Sequence, residues 1–199
     1  INDILDLSRI ERGKMSIRQE VFDFQEMIKS LSAISSAQAQ ERRQDFGIRV
    51  SGDFDQIYAG DELRLKQILL NVLSNAHKYT PDGGWVLMEV FSNPAANGIT
   101  MMKFAVSDNG AGIEPEYLEK IFEPFCQGSN ASGSTGSGLG LAITQNLVHL
   151  MNGSITVSST YGKGSCFTVE LPLKRVEGAG FPAKNTQVVG DRDLRILLV

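Results

Sequence analysis

Asn71, Asn75 and Lys78 recur at i, i+4 and i+7 in a segment whose apolar residues follow helical spacing, and these three side chains are a set that could hold a phosphate ester. Placed at about 100° per residue from Leu65, they fall near 240°, 280° and 220°, while Leu65, Ile68, Leu69, Val72, Leu73 and Ala76 fall between about 300° and 80°. Two amides and an ammonium therefore form one stripe along the edge of the buried face. Asn is a poor helix former, so two of them in mid-helix carry a small local cost. An amide oxygen is a neutral hard ligand for Mg²⁺, which keeps several waters and holds phosphate oxygens, and a lysine adds point charge. On the helix alone, a solvated edge fits the same stripe.

A second group ends a strand. Met102, Phe104, Val106 and Asp108 share one parity, so an apolar face terminates in a carboxylate that needs hydrogen-bond donors. The amino group of a purine is one such donor. Asn109-Gly110-Ala111-Gly112 follows, and its glycines permit positive φ and close backbone approach to a ligand, although Asp-Asn-Gly is also ordinary turn chemistry. Further on, Gly128 to Gly140 holds five Gly and four Ser in thirteen residues and opens directly onto an amphipathic helix, the setting of an anion site at a helix start. The segment lacks the Gly-Lys-Ser/Thr ending of a P-loop, and Gly136-x-Gly138-x-Gly140 is not the dinucleotide fingerprint. A flexible linker is its alternative. Ile121-Phe122-Glu123-Pro124-Phe125 places aromatics around a proline just ahead of it, and Tyr79 could cover a flat ligand or pack in the core.

The two histidines are read as packing or surface residues. His77 lies near 120°, away from the Asn stripe, and His149 sits among Leu147 and Leu150. No Ser/His/Asp order, carboxylate pair or metal cluster supports hydrolysis of an ester, peptide or glycoside.

The elements that must position these groups can be read from pattern. Helices are expected from Phe24 to about Arg42 behind the cap Asp23, from Asp61 to Lys78, and from Leu141 to Met151. Ile1 to Ile10 reads as the tail of another amphipathic helix, stopped by Gly13. Strands are expected at Met15–Phe22, Phe46–Val50 and Gln56–Tyr58, with antiparallel hairpins from Trp85–Phe91 with Ile99–Ser107 and from Ile155–Ser159 with Cys166–Leu171. Strands group together instead of alternating with helices, which argues for an α+β fold.

The chain has 199 residues, 42% hydrophobic and 21% charged, enough for one real core. Its net charge of −4 gives no footprint for nucleic acid. Cys126 and Cys166 stand apart and suggest free thiols in a reducing compartment. Both ends read as cut from something longer.

Taken in order, Asn71-Val-Leu-Ser-Asn75-Ala-His-Lys78-Tyr-Thr80, Asp108-Asn-Gly110-Ala-Gly112, Phe122-Glu-Pro-Phe125 and Gly136-Ser-Gly138-Leu-Gly140-Leu resemble the four nucleotide-binding boxes of sensor histidine kinases. The resemblance runs from about Val21 to Leu173. It implies a two-layer α/β sandwich of the Bergerat type, with a mixed, largely antiparallel sheet covered on one face by helices, and ATP with Mg²⁺ as the bound pair. It further implies Asn75 on Mg²⁺, Asn71 and Lys78 at the phosphates as the catalytic groups, Tyr79 on the adenine side, and Asp108 accepting the adenine amino hydrogen. Gly110, Gly112 and Ile113 would shape the base pocket, and Phe122, Thr135, Gly136, Ser137, Gly138, Leu139, Gly140 and Leu141 would surround the phosphates under a lid from Phe125 to Thr135.

Residues 1–14 are similar to the end of a dimerisation and phosphoacceptor hairpin, 15–173 to the catalytic ATP-binding domain, 174–193 read as a linker, and 194–199 are similar to the first strand of a receiver domain. The helix bearing the acceptor histidine is absent, so the expected role is to present the γ-phosphate to a phosphoacceptor helix of its own or a partner protomer, in a homodimeric hybrid kinase. The expected place of this portion is the cytoplasm, with the parent protein anchored in the inner membrane. A non-catalytic module that senses nucleotide or docks a partner is the alternative. An ATPase clamp of the gyrase or Hsp90 kind would need a hydrolytic base and transducer that the sequence does not offer.

Overall fold

Asp23 and Asp61 each stand one residue ahead of a long helix, and each carboxylate takes a backbone N–H from its first turn: Glu26 on Asp23 Oδ1 and Arg64 on Asp61 Oδ1, both at 3.0 Å. The computed structural model describes residues 2–52, 54, 57–94, 97–126 and 137–176. In chain order its elements are α1 (Asn2–Glu11), β1 (Glu20–Asp23), α2 (Phe24–Glu41), β2 (Asp45–Ser51), β3 (Ile57–Gly60), α3 (Glu62–Tyr79), β4 (Trp85–Pro94), β5 (Ile99–Asp108), α4 (Pro115–Leu118), α5 (Gly140–Leu150), β6 (Ser154–Thr160) and β7 (Gly164–Arg175).

The strands form one sheet in the order β1-β3-β7-β5-β4-β2, with β6 beside β7. The same edge of β7 pairs with β6 near its start and with β3 at Lys174 and Arg175. All pairings are antiparallel except β2 with β4, so the sheet is mixed and largely antiparallel as expected. Register sets the two faces. Phe104 lies opposite Val90 and Val169, and Val106 opposite Met88 and Phe167, giving continuous apolar rows across β4, β5 and β7. These rows meet Leu65, Ile68, Leu69, Val72 and Leu73 of α3, all of them buried, in a single core under the helices. The other parity carries charge: Arg49 Nη1 donates to Glu89 at 2.8 Å, and Lys103 stands opposite Glu170. The helices cover the face that carries the unbroken apolar rows, whereas the other parity mixes charged residues with Leu87 and Ala105.

Two expected strands need correction, and one short helix was not expected. The strand expected at Met15–Phe22 is confined to Glu20–Asp23, since β3 offers only four residues to pair with it. Upstream, the Arg18 N–H goes to Asp61 Oδ2 at 3.0 Å, a side chain and not a ladder partner. The strand expected at Gln56–Tyr58 is Ile57–Gly60, and the short α4, with Pro115 in its first turn, had no sequence signal. Gly13 does end α1: with φ +61°, it sends its N–H to Ile10 O while Lys14 N–H reaches Arg9 O, a Schellman closure. The expected receiver strand at 194–199 and most of the expected linker lie outside the described residues.

α1 is tied to α3 by one carboxylate. Asp6 Oδ2 accepts from Arg64 Nη1 and from Gln67 Nε2, both at 3.0 Å, and both members of the ion pair are less than a fifth exposed.

His77 packs inward from α3 and is 1% exposed. Gln44 Nε2 donates to the carbonyls of His77 and Thr80, at 2.9 and 2.6 Å, so Gln44 Oε1 faces His77 Nδ1 at 2.8 Å and that nitrogen carries the proton. His77 Nε2 is buried without a hydrogen-bond partner among the described residues. Burial first, and the nearby Arg42 charge second, lower the ring's pKa to about 4. The ring is therefore neutral in the folded state down to mildly acidic pH, whereas in the unfolded chain it takes up a proton near its ordinary value. Stability falls as pH drops through that window and levels off below the folded value. Between pH 7 and pH 5 this group removes about 2 kcal/mol. Urea unfolding of the wild type and of His77→Gln at both pH values checks this: the wild type loses more stability than the variant, and equal losses would contradict the assignment.

Candidate functional site

Asp108 closes the buried row of β5 and is 8% exposed. Its Oδ1 accepts the N–H of Gly110 at 2.8 Å and of Ser165 at 3.3 Å, whereas Oδ2 has no hydrogen-bond partner among the described residues. Burial pushes the carboxyl pKa up, and the two backbone bonds pull it part of the way back. A half-satisfied carboxylate in such surroundings is a strong acceptor for one neutral donor brought by a ligand.

The loop after Asp108 is fastened on two sides. Ala111 N–H donates to Tyr79 O at 3.1 Å, and Gly162 N–H donates to Ala111 O at 2.7 Å. Gly112 has φ +66°, and a Cβ there would overlap the Thr160 carbonyl, so the close approach of this loop to the β6–β7 turn requires glycine. The end of α3, the strand end with Asp108 and the turn Tyr161–Lys163 are thereby held together.

Along α3, Asn71, Asn75 and Lys78 face a cleft of about 520 Å³ whose lining also includes Asp108. Lys78 Nζ stands 5.0 Å from the centre of the Tyr79 ring, which is itself part-exposed on the wall. Asn71 Nδ2 donates to Thr144 Oγ1 at 2.7 Å and ties α3 to α5. Its Oδ1 lies so close to Gly140 that a Cβ there would collide with it. The first intrahelical bond of α5 runs from Ile143 N–H to Leu139 O, and no side chain caps that helix start. The N–H groups of Gly140, Leu141 and Ala142 therefore have no intrahelical partner at the cleft edge, a setting suited to an anion.

Of the residues expected at the site, Asn71, Asn75, Lys78, Tyr79, Asp108, Gly112, Ile113, Ser137, Gly138, Gly140 and Leu141 line the cleft together. Gly110 does not, but its N–H holds Asp108. Leu139 is 1% exposed and belongs to the core, and Phe122 packs against that core and not on the cleft wall. Thr135, Gly136 and most of the expected lid lie outside the described residues. Phe125 N–H donates to Gly138 O at 2.9 Å, which joins the two described ends of that segment. Ser165, Phe167, Tyr161, Tyr117 and Arg42 also line the cleft and were not anticipated. The pairing of Asp108 with Ser165 across β5 and β7 is the signal that would have found Ser165.

Residues 60–175, more than half of the chain, match the family model described as histidine kinase-, DNA gyrase B-, and HSP90-like ATPase. The autoinducer 2 sensor kinase/phosphatase LuxQ of Vibrio vulnificus is 38% identical over 179 residues, which covers 89% of this chain and 21% of that protein. Hybrid signal transduction histidine kinase B of Dictyostelium discoideum is 38% identical over 174 residues, covering 86% of this chain and 9% of that one. The chain thus spans about a fifth or less of these curated relatives. Among solved structures, full-length ShkA in complex with AMPPNP is 31% identical with a TM-score of 0.74, covering 88% of this chain and 35% of that one. The nucleotide-free catalytic domain of histidine kinase ThkA, 24% identical with a TM-score of 0.64, shares the fold over 77% of this chain and 95% of its own. With more than half of its length matched by that family model, on the sheet and around the cleft described above, the chain belongs to the histidine kinase-, DNA gyrase B- and HSP90-like ATPase family.

Proposed function

We propose that the cleft binds ATP and that the chain presents its γ-phosphate to a histidine carried on a helical hairpin outside it. The observation that carries this reading is Asp108, whose Oδ1 is occupied by backbone donors while Oδ2 is left for the exocyclic amino group of adenine. With the base there, the phosphates extend along Asn71, Asn75 and Lys78 toward the start of α5. ShkA was solved with AMPPNP, a nucleotide of the same shape.

The chain's residues act by position and charge. Lys78 neutralises phosphate charge, Tyr79 lies along the base, and the N–H groups at the α5 start donate to phosphate oxygens. Transfer forms a P–N bond to the acceptor imidazole and breaks the P–O bond to ADP, which leaves. Among the described residues no group of three or more His, Cys, Asp or Glu could hold a metal ion. Asn75, a neutral amide on the cleft wall, would supply one oxygen to a Mg²⁺ arriving with the nucleotide, an ion that keeps most of its waters. When bound, the ion supplies neutralisation of the phosphate charge. The acceptor hairpin, a receiver domain and a homodimer are the proposed partners, and residues 15–173 the proposed catalytic unit. Among the described residues no helix is long and apolar enough to cross a membrane. The cytoplasm, where ATP is available, is the proposed location of this portion.

Calorimetric titration tests the pocket. Asp108→Ala lowers ADP affinity by about 10- to 100-fold, the range expected for losing a hydrogen bond to a charged group. Unchanged affinity would remove the adenine assignment. Asn75→Ala separates the metal from the base: ADP affinity without Mg²⁺ stays within about threefold of wild type, and the gain on adding Mg²⁺ disappears. A full gain in that variant would take Asn75 off the ion.

A further inference from the structure

Ser159, near the end of β6, is half-buried and is not among the cleft-lining residues, yet the loop that ends at Ile113 and the start of β7 meet at its hydroxyl. Its Oγ accepts the N–H of Ile113 at 2.8 Å and donates to the carbonyl of Gly164 at 3.0 Å, with Ser165 Oγ also at 3.0 Å. A hydroxyl has one hydrogen and two lone pairs. Because that hydrogen is committed to Gly164, the Ser165 hydroxyl is the donor to Ser159, and all three sites of the Ser159 oxygen are used. On one side of this junction Ile113 anchors the Gly110–Gly112 loop. On the other, the Ser165 N–H holds Asp108 Oδ1.

The hairpin does not need this hydroxyl to form. β6 and β7 are paired from Ser154 opposite Glu170 to Thr160 opposite Gly164, and Gly162 N–H separately ties their turn to Ala111 O. What the hydroxyl adds is a fixed distance between the loop that walls the base and the residue that holds its carboxylate. Gly110, Ala111 and Gly112 carry no polar side chain, and beyond the backbone bonds of Gly110 and Ala111 the far end of the loop is held by the Ser159 hydroxyl at the Ile113 N–H.

We propose that Ser159 is a positioning residue for the base, setting the separation between Asp108 and the Gly110–Ile113 wall, so that the cleft selects adenine through a side chain that does not touch the nucleotide. This rests on nucleotide binding in the cleft. Loss of the hydroxyl frees the Ile113 N–H and the Ser165 hydroxyl together, and the Ile113 end of the wall is then held to the carboxylate only through the Gly110 bond at its other end.

The test measures ADP and GDP binding by calorimetry for Ser159→Ala, Ser159→Thr and Ser159→Val, with circular dichroism confirming that each is folded at the working temperature. Threonine keeps the hydroxyl and valine matches its shape without it. ADP affinity is expected to fall about tenfold in the Ala and Val variants, with a narrowed preference for ADP over GDP, and to stay within about threefold of wild type in the Thr variant. If Ser159→Ala does not fold, the Thr and Val pair decides. Equal behaviour of Thr and Val, or an Ala variant with wild-type affinity and preference, would overturn the proposal. Asp108→Ala is titrated in parallel: if it binds ADP as wild type does, the nucleotide reading fails and this inference with it, whereas a loss there combined with no effect at Ser159 overturns this inference alone.

Discussion

A carboxylate buried at the end of a strand is costly unless every approach to it is controlled, and much of this structure serves that control at Asp108. The apolar row of β5 brings it under the helices, the Gly110 and Ser165 N–H groups occupy one oxygen, and burial still leaves its pKa raised. A protein that needed only a turn at this place would have no use for a charge there. The raised pKa and the open oxygen together describe a group waiting for a donor, and the cleft beside it is large enough to bring one.

The opposite end of the cleft solves a different problem, how to hold negative charge with few cations. Among its lining, Lys78 stands on the α3 stripe, and it is joined by two amides and by the backbone of α5. The bond from Asn71 to Thr144 keeps α3 and α5 close, so the amide stripe and the uncapped helix start face one space. Gly140 permits that approach because any side chain there would meet Asn71. α3 is the common member: its inner face builds the core, its edge lines the cleft, its end receives the Ala111 N–H, and its first turns hold α1 through Arg64 and Gln67.

Most of this was readable in the sequence where the cause is local. The apolar spacing of Leu65 to Ala76 gives the buried face and, with it, the Asn stripe, and the caps Asp23 and Asp61 start helices as their side-chain chemistry dictates. The alternation in the two hairpins gives the sheet and its apolar parity. Readings failed where the deciding partner is distant. Arg18 gives its N–H to Asp61, so the segment before β1 does not join the sheet. His77 is the packing residue that was one of its two readings, and its partner Gln44 stands 33 residues earlier. Phe122 and Leu139 belong to motifs that suggested contact with a ligand, yet their side chains serve the core. Ser159 and Ser165 gave no local signal at all, because their roles arise from the register of β5, β6 and β7.

The most direct measurement compares ADP with inosine diphosphate on the unaltered chain. The two ligands share ribose and phosphates and differ at the six position, where inosine carries an oxygen in place of the amino group that Asp108 is held to accept from. The account predicts that inosine diphosphate binds at least about tenfold more weakly, because two acceptors then face each other in a desolvated place. Equal affinity for the two would contradict it.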